Sequence, residues 1–182
     1  MEEELEVKLL DIDVESLKTQ LKEKGARKIT EENQVNITIN SSKHPIDPNH
    51  GYLRIRSVTL ISGEEYHEFT FKEQKSKDGI RENIEHTVKI DNPKSCLSIL
   101  EQLGYDIKDQ GTKHRESFLY KGARFDFDTW DSGTYPYPYV EIEVTHKGEL
   151  DGLIDEFSLP RNNISTKSIA ELKNIWKNKN KL

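Results

Sequence analysis

Glu4-Leu5-Glu6-Val7-Lys8 alternates charged and apolar side chains near the amino end of the chain. On a β-strand successive side chains point to opposite faces, so Glu4, Glu6 and Lys8 share one face while Leu5, Val7 and Leu9 share the other. The same alternation returns in Arg54-Ile55-Arg56, Thr70-Phe71-Lys72, Arg124-Phe125-Asp126-Phe127-Asp128 and Glu141-Ile142-Glu143. Any one of these stretches, taken alone, reads as an ordinary antiparallel strand with one face in water. Together they sort by charge: the first and last are rich in acids, and the middle ones carry bases. Strands of one sheet that segregate acids and bases in this way predict a charged surface built to hold something.

The segments between these runs carry turn signals. Residues 1–10 form the expected first strand. Asp13 is a plausible N-cap for a helix to about residue 24, with Leu17 and Leu21 four apart and Gly25 ending it. Residues 34–40 alternate again, Val35, Ile37 and Ile39 opposing Asn36, Thr38 and Asn40. Pro45, Asp47, Pro48 and Gly51 mark residues 41–51 as a loop. Strands are expected over 52–60, 66–73, 81–90, 112–120, 123–130 and 140–145, mostly joined as hairpins. Asn92-Pro93 opens a second helix, stopped at Gly104; two more cover 149–157 and about 166–178. Roughly eight antiparallel strands, each with one polar and one apolar face, predict an α+β protein. Its centre is an eight-stranded antiparallel closed β-barrel, with the helices packed outside on the apolar faces.

At 182 residues the chain suits one hydrophobic core, and the expectation is a single domain over 1–182. Charged residues make up 33%, and the formal net charge is −6. That balance argues against general nucleic-acid binding and against an anionic membrane surface as partner, since both favour basic chains. It leaves room for a local basic pocket. The single Cys96 cannot form an internal disulfide, and no apolar run approaches transmembrane length. A soluble, cytoplasmic protein is expected. His67, His86, His114 and His146 lack zinc-site spacing, and neither a phosphate-binding glycine loop nor a nucleophile motif is present.

A face with both signs of charge suits a polyphosphate and a divalent metal bound together. Oxygen-only ligands favour Mg²⁺ or Mn²⁺, and Mg²⁺ takes few protein carboxylates beside phosphate oxygens and water. Glu4, Glu6, Asp128, Glu141 and Glu143 are the candidate ligands. Arginine clamps phosphate through paired N–H donors and lysine acts as a compact charge. Arg54, Arg56, Lys72, Lys113 and Arg115 are the candidate clamps. On the run Arg81-Glu82-Asn83-Ile84-Glu85, strict alternation puts Arg81, Asn83 and Glu85 on one face. Glu85 is the preferred inward acid, and a bulge would bring in Glu82 instead.

The ordered series Glu4-x-Glu6-x-Lys8, Arg54-x-Arg56, Thr70-x-Lys72, Phe127-Asp128-Thr129-Trp130 and Glu141-x-Glu143 resembles the CYTH superfamily, the triphosphate tunnel metalloenzymes. The resemblance extends over nearly the whole chain. It implies a barrel whose basic residues grip a triphosphate and whose acids hold metal. Glu4 and Glu6 fall at the metal end with Asp128, Glu141 and Glu143, and Lys8 contacts substrate. Lys167, before the final helix, resembles a C-terminal lysine of the bacterial branch. Family members often carry Arg-x-Glu-x-Glu where this chain has Asn83, a departure that bears on the metal site. The implied activity is metal-dependent hydrolysis of a triphosphate such as tripolyphosphate, ATP or thiamine triphosphate. Lys72 is a candidate to protonate or steady the leaving group, and Glu6 a second catalytic candidate. The alternatives are a class IV adenylyl cyclase, which makes cyclic AMP and diphosphate from ATP, and a non-catalytic polyphosphate- or nucleotide-binding module. The resemblance also makes a homodimer an expectation.

Overall fold

The computed structural model describes residues 2–180; Met1 of the expected first strand and residues 181–182 lie outside them. In chain order the elements are β1 (Glu2–Leu9), α1 (Val14–Glu23), β2 (Arg27–Asn40), β3 (Gly51–Leu60), β4 (Glu65–Ser76), β5 (Arg81–Ile90) and α2 (Pro93–Gln102). There follow β6 (Ile107–Tyr120), β7 (Ala123–Trp130), β8 (Tyr139–Val144), α3 (Lys147–Glu156), β9 (Ile164–Ser165) and α4 (Ile169–Asn180).

Strand order is β5-β4-β3-β2-β6-β7-β8-β1, and pairing of β1 with β5 closes the ring, every pair being antiparallel. The two-residue β9 adds to β1 beside Lys8 and Leu9, beyond the stretch that β5 covers. The fold is therefore the expected closed eight-stranded barrel with an extra short strand and helices outside it. Closure matters physically because it leaves no long strand edge with unpaired backbone groups.

Alternation sends the apolar residues outward. Val7, Leu9, Phe118, Phe125 and Ile142 are buried beneath Leu17 and Leu21 of α1 and Leu150, Leu153 and Ile154 of α3. Each such side chain fully removed from water contributes about 1.5–3 kcal/mol. A second cluster places Leu100 of α2 over Ile39 and Ile55. Helix starts follow their caps: Asp13 accepts from the Ser16 N–H at 3.0 Å, and Asn92 accepts from the Ser95 N–H at 2.9 Å, with Pro93 in the first turn.

α4 takes a different place from the other helices. It lies outside the wall but across one end of the barrel, where Ser168, Ile169 and Ala170 line the interior cavity. Leu172 packs with Tyr135 and Tyr139. Two ion pairs hold the helix there, Lys77–Glu171 and Lys173–Asp109, each at 2.7 Å.

Two strands begin well before the point the sequence pattern predicts. β2 begins at Arg27 instead of residue 34, and β6 at Ile107 instead of residue 112. The first residues of both are mostly solvent-exposed, so neither face is under pressure to be apolar. Backbone pairing between the two strands, from Arg27↔Leu119 to Asn40↔Ile107, extends them past the point where alternation is written in the side chains. Among the described residues no helix is long and apolar enough to cross a membrane.

Candidate functional site

A cavity of about 380 Å³ runs through the barrel, and all eight strands of the ring contribute to its wall. The inward positions are those that alternation selects. β1 supplies Glu4, Glu6 and Lys8; β3 supplies Tyr52, Arg54 and Arg56; β4 supplies Lys72. β5 supplies Arg81 and Glu85, β6 Lys113 and Arg115, and β8 Glu141 and Glu143. The one irregularity in the β4–β5 ladder falls on β4, between Gln74 and Ser76, so β5 keeps its alternation and Glu82 points outward, pairing with Lys147 at 3.0 Å.

The lining is one connected electrostatic network. Lys72 bonds Glu4 and lies 3.2 Å from Glu85 and 3.7 Å from Glu6. Lys8 meets Glu141 at 3.0 Å. Arg115 bonds Asp128 through both Nε and Nη2 at 2.6 Å, and its Nη2 also reaches Glu141 at 2.6 Å. Lys113 adds a third contact to Asp128 at 2.9 Å and sits 5.3 Å from the centre of the Trp130 ring.

Two arginines of β3 stand apart from this pairing. Arg56 has no carboxylate within 4 Å among the described residues; its Nε donates to Asn36 at 3.1 Å, inside a hydrogen-bonded row that runs through Gln34 to Glu32. Burial, with Arg54 and Arg115 nearby, pushes the Arg56 pKa below its ordinary value. Arg54 has one long contact, Nη2 to Glu85 at 3.4 Å, and its buried Nε is left without a hydrogen-bond acceptor. It is the one such buried side-chain atom among the described residues. A buried charged donor without a partner costs on the order of 1–3 kcal/mol, so this N–H is aimed at an acceptor that the protein does not supply.

The acids divide in a complementary way. Glu6 is buried and Glu141 half-buried, but surrounding cations outweigh the desolvation and hold both below the usual carboxylate range. For Glu85 burial is outweighed by Arg54, Lys72 and Arg56, which bring its pKa to about 2. Glu143 behaves oppositely: burial, then the charge of Glu4, raise it to about 7 despite Arg124, with Asp126 and Glu6 adding to the effect. Glu143 forms no ion pair within 4 Å among the described residues. Burial likewise raises Glu4, although Lys72 opposes it. On the cationic side, burial and then Arg115 lower Lys113 to about 8. Burial also disfavours the charge on Lys72, yet Glu6, Tyr52, Glu4 and Glu85 outweigh it and hold the Lys72 proton tightly.

The donor set fits a hard divalent cation at the Glu4 and Glu143 side. Both are oxygen donors; Glu4 has Lys72 as its one cation within 4 Å among the described residues and Glu143 has none, and the charge of Glu4 raises the Glu143 pKa, a repulsion that a cation would relieve. Among the described residues no three His, Cys, Asp or Glu side chains form a ready-made cage.

The barrel thus brings together Glu4, Glu6, Lys8, Arg54, Arg56, Lys72, Arg81, Glu85, Lys113, Arg115, Glu141 and Glu143. Two expected residues stand outside the lining. Asp128, only 1% exposed, lies behind Arg115 and Lys113 as their anchor. Lys167 is exposed at the approach to α4, with Ser168 facing the cavity in its place. Asp126, Tyr52 and Asn36 face inward and were not among the expected site residues. Tyr52 shares the parity of Arg54 and Asp126 that of Asp128, whereas Asn36 lies on β2, which carried no expected site residue.

The CYTH domain family model matches residues 2–171. The chain belongs to the CYTH family. Its fold is similar to that of the PH1819 protein of Pyrococcus horikoshii OT3, with a TM-score of 0.78 at 19% identity, covering 93% of this chain and 97% of that one. The PH1012 protein of the same organism gives a TM-score of 0.76 at 19% identity, over 93% and 98% of the two chains. HpAC1 from Hippeastrum, a candidate adenylyl cyclase described as having a dominant triphosphatase activity, gives 0.65 at 17% identity over 96% of each chain. At these identities the likeness is one of fold. A comparison with curated proteins finds no match.

Proposed function

We propose that this CYTH protein hydrolyses a triphosphate inside its barrel with the help of Mg²⁺ or Mn²⁺. The observation that carries this reading is the pair Arg54 and Arg56: neighbouring inward arginines, one with an orphaned Nε–H and the other with no carboxylate partner. A polyanion supplies what both lack. Lys8, Lys72, Arg81, Lys113 and Arg115 extend the grip around the tunnel.

A bound Mg²⁺ or Mn²⁺ would act as a Lewis acid that neutralises charge on phosphate oxygens. Glu4 and Glu143 would hold it. In the reaction a water oxygen forms a bond to the terminal phosphorus, the bond from that phosphorus to the bridging oxygen breaks, and phosphate and diphosphate result. Arg54 and Arg56 stabilise charge on the transferred group and hold the chain of phosphates in line. Lys72, whose proton is tightly held, serves as a fixed positive charge, not as a proton donor to the leaving group. The triphosphatase activity described for HpAC1 supports a hydrolytic outcome on this fold.

One observation favours a second reading. Pro48, Tyr52, Ile107, Trp130 and Ile169 line the cavity together with the phosphate-grip residues, and they would accommodate an organic group. In the cyclase reading that group is a nucleoside, whose 3′-hydroxyl attacks the α-phosphorus of ATP and expels diphosphate. ³¹P NMR of the protein with tripolyphosphate and, separately, ATP, each with Mg²⁺ and then Mn²⁺, tests both. Phosphate plus diphosphate from tripolyphosphate supports the hydrolase. Cyclic AMP plus diphosphate from ATP, with tripolyphosphate intact, replaces it with the cyclase.

A further inference from the structure

Among the described residues Arg56 is the one cation of the cavity lining with no carboxylate within 4 Å; Lys8, Arg54, Lys72, Arg81, Lys113 and Arg115 each have at least one. Its protein partner is neutral. Arg56 Nε donates to Asn36 Oδ1 at 3.1 Å, straight across the β2–β3 register. Its Nη1 and Nη2 bond no protein group among the described residues, which leaves their N–H donors for a ligand.

Asn36 is the near end of a row that follows the inward face of β2. Asn36 Nδ2 donates to Gln34 Oε1 at 3.2 Å, Gln34 Nε2 to Glu32 Oε1 at 2.5 Å, and the Thr30 hydroxyl to Glu32 Oε2 at 3.1 Å. Gln34 is 1% exposed, Asn36 4% and Glu32 6%. Chemistry fixes the direction of both amides. Arginine only donates and a carboxylate accepts, so each amide turns its oxygen towards Arg56 and its NH₂ towards Glu32. Reversing either amide would set like against like at both of its ends. Glu32 itself is not part of the cavity lining, and on an extended strand it stands about 13 Å from Asn36. The row thus ties Arg56 to a distant carboxylate through neutral groups.

We propose that Glu32, Gln34 and Asn36 are positioning residues for Arg56: the row clamps Nε and delivers the guanidinium, still unneutralised, to the triphosphate. The proposal rests on the reading of the tunnel as a triphosphate site. Glu32 supplies the acceptor that orders the row, the two amides carry that order along β2, and Arg56 meets the phosphate oxygens. A carboxylate placed directly on Arg56 would hold it as firmly, but its charge would compete with those oxygens.

The test is the affinity of the full chain for diimidotriphosphate, a tripolyphosphate analogue whose P–N–P bridges resist hydrolysis, measured by calorimetry in saturating Mg²⁺. Glu32→Met removes a negative charge from the barrel wall, and charge alone would make the polyanion bind more tightly. The row predicts the opposite, an affinity about threefold to tenfold weaker, because Gln34 loses its acceptor and the amides are free to turn. Glu32→Gln keeps an oxygen that accepts from Gln34 and is expected to stay within about twofold of wild type. Arg56→Met is expected to lose about tenfold or more. In that background Glu32→Met is expected to add less than about a twofold effect, since the row then has nothing to position. Asn36→Ala repeats the cycle from the other end of the row, so the test survives if Glu32→Met does not fold. Unchanged or tighter binding by Glu32→Met overturns the proposal and leaves the triphosphate reading standing. So does a loss of the same size with and without Arg56, an Arg56→Met variant that binds as wild type does, or Glu32→Gln as weak as Glu32→Met. Wild-type protein that does not bind the analogue overturns the triphosphate reading itself, and the proposal with it.

Discussion

Lys77, in the turn between β4 and β5, reaches Glu171 on α4 at 2.7 Å and ties the C-terminal helix across one end of the barrel. Glu171 also accepts from the Ser168 backbone N–H at 2.7 Å, as an acid in the first turn of a helix is placed to do. Burial opposes this charge, but Lys77 and Ser168 outweigh it and bring the Glu171 pKa to about 2.

Because the folded pKa of Glu171 lies below its unfolded value, its contribution to stability is fully present above about pH 4.5 and is lost as pH falls towards 2. The side chain is 42% exposed, so solvent screening limits the effect to under about 1 kcal/mol. Glu171→Gln is therefore expected to be slightly less stable than wild type at pH 6 and indistinguishable from it near pH 2. Thermal melts across that range, with hydrogen exchange of α4 amides, check this.

Arg54→Met removes the orphaned donor while keeping much of the side-chain volume. Tripolyphosphate binding is expected to weaken by about 2–3 kcal/mol, the range of a charge-assisted hydrogen bond, with little loss of fold stability. Calorimetric affinity beside a urea denaturation curve separates the two. A large loss of stability with intact affinity would contradict the reading of Arg54 as a ligand-facing group.

Asp128→Asn should act first on stability. Three charge-assisted bonds from Lys113 and Arg115 converge on this buried carboxylate, and removing its charge leaves both cations under-compensated. A loss of about 3–5 kcal/mol is expected in denaturant unfolding without any metal present. A variant of unchanged stability that has lost only metal affinity would return Asp128 to the role of ligand.

Gly51→Ala tests the seating of β3 against β4. A Cβ at this position would lie 2.4 Å from the backbone oxygen of Lys72, and a backbone atom in a sheet has little room to give. The variant is expected to lose about 1–3 kcal/mol and to shift Lys72, lowering tripolyphosphate affinity as well. Unfolding curves and calorimetry measure both effects.

Much of the barrel interior was legible because alternation is a strict geometric rule. Once Glu4, Arg54, Lys72 and Glu141 were assigned to one face, the parity of each of their strands placed the rest; on β5 the sequence preferred Glu85 but left Glu82 open, and the structure turns Glu82 outward to Lys147. What stayed hidden depended on contacts across strands. Nothing in the run Arg124 to Asp128 says that Asp126 will line the cavity while Asp128 lies behind Arg115. That difference arises from depth along a tilted strand and from the reach of a particular arginine. The short reading of β2 and β6 has a similar origin, since pairing with a neighbour extends a strand without leaving an apolar signature. Lys167 was placed by resemblance, and a residue in the connection ahead of a helix has no period to fix its direction.

The ring closes through β1, whose Glu6 stands opposite Arg81 on one side and Glu143 on the other. On a ribosome this strand would emerge before the other strands of the ring and wait unpaired until β5, and then β8, had been made. Its acidic side chains would help to keep it soluble during that wait, and cylinder formation would be a late, long-range event in synthesis. The side chains assigned to the chemistry would then also be the ones that protect the nascent chain from premature association.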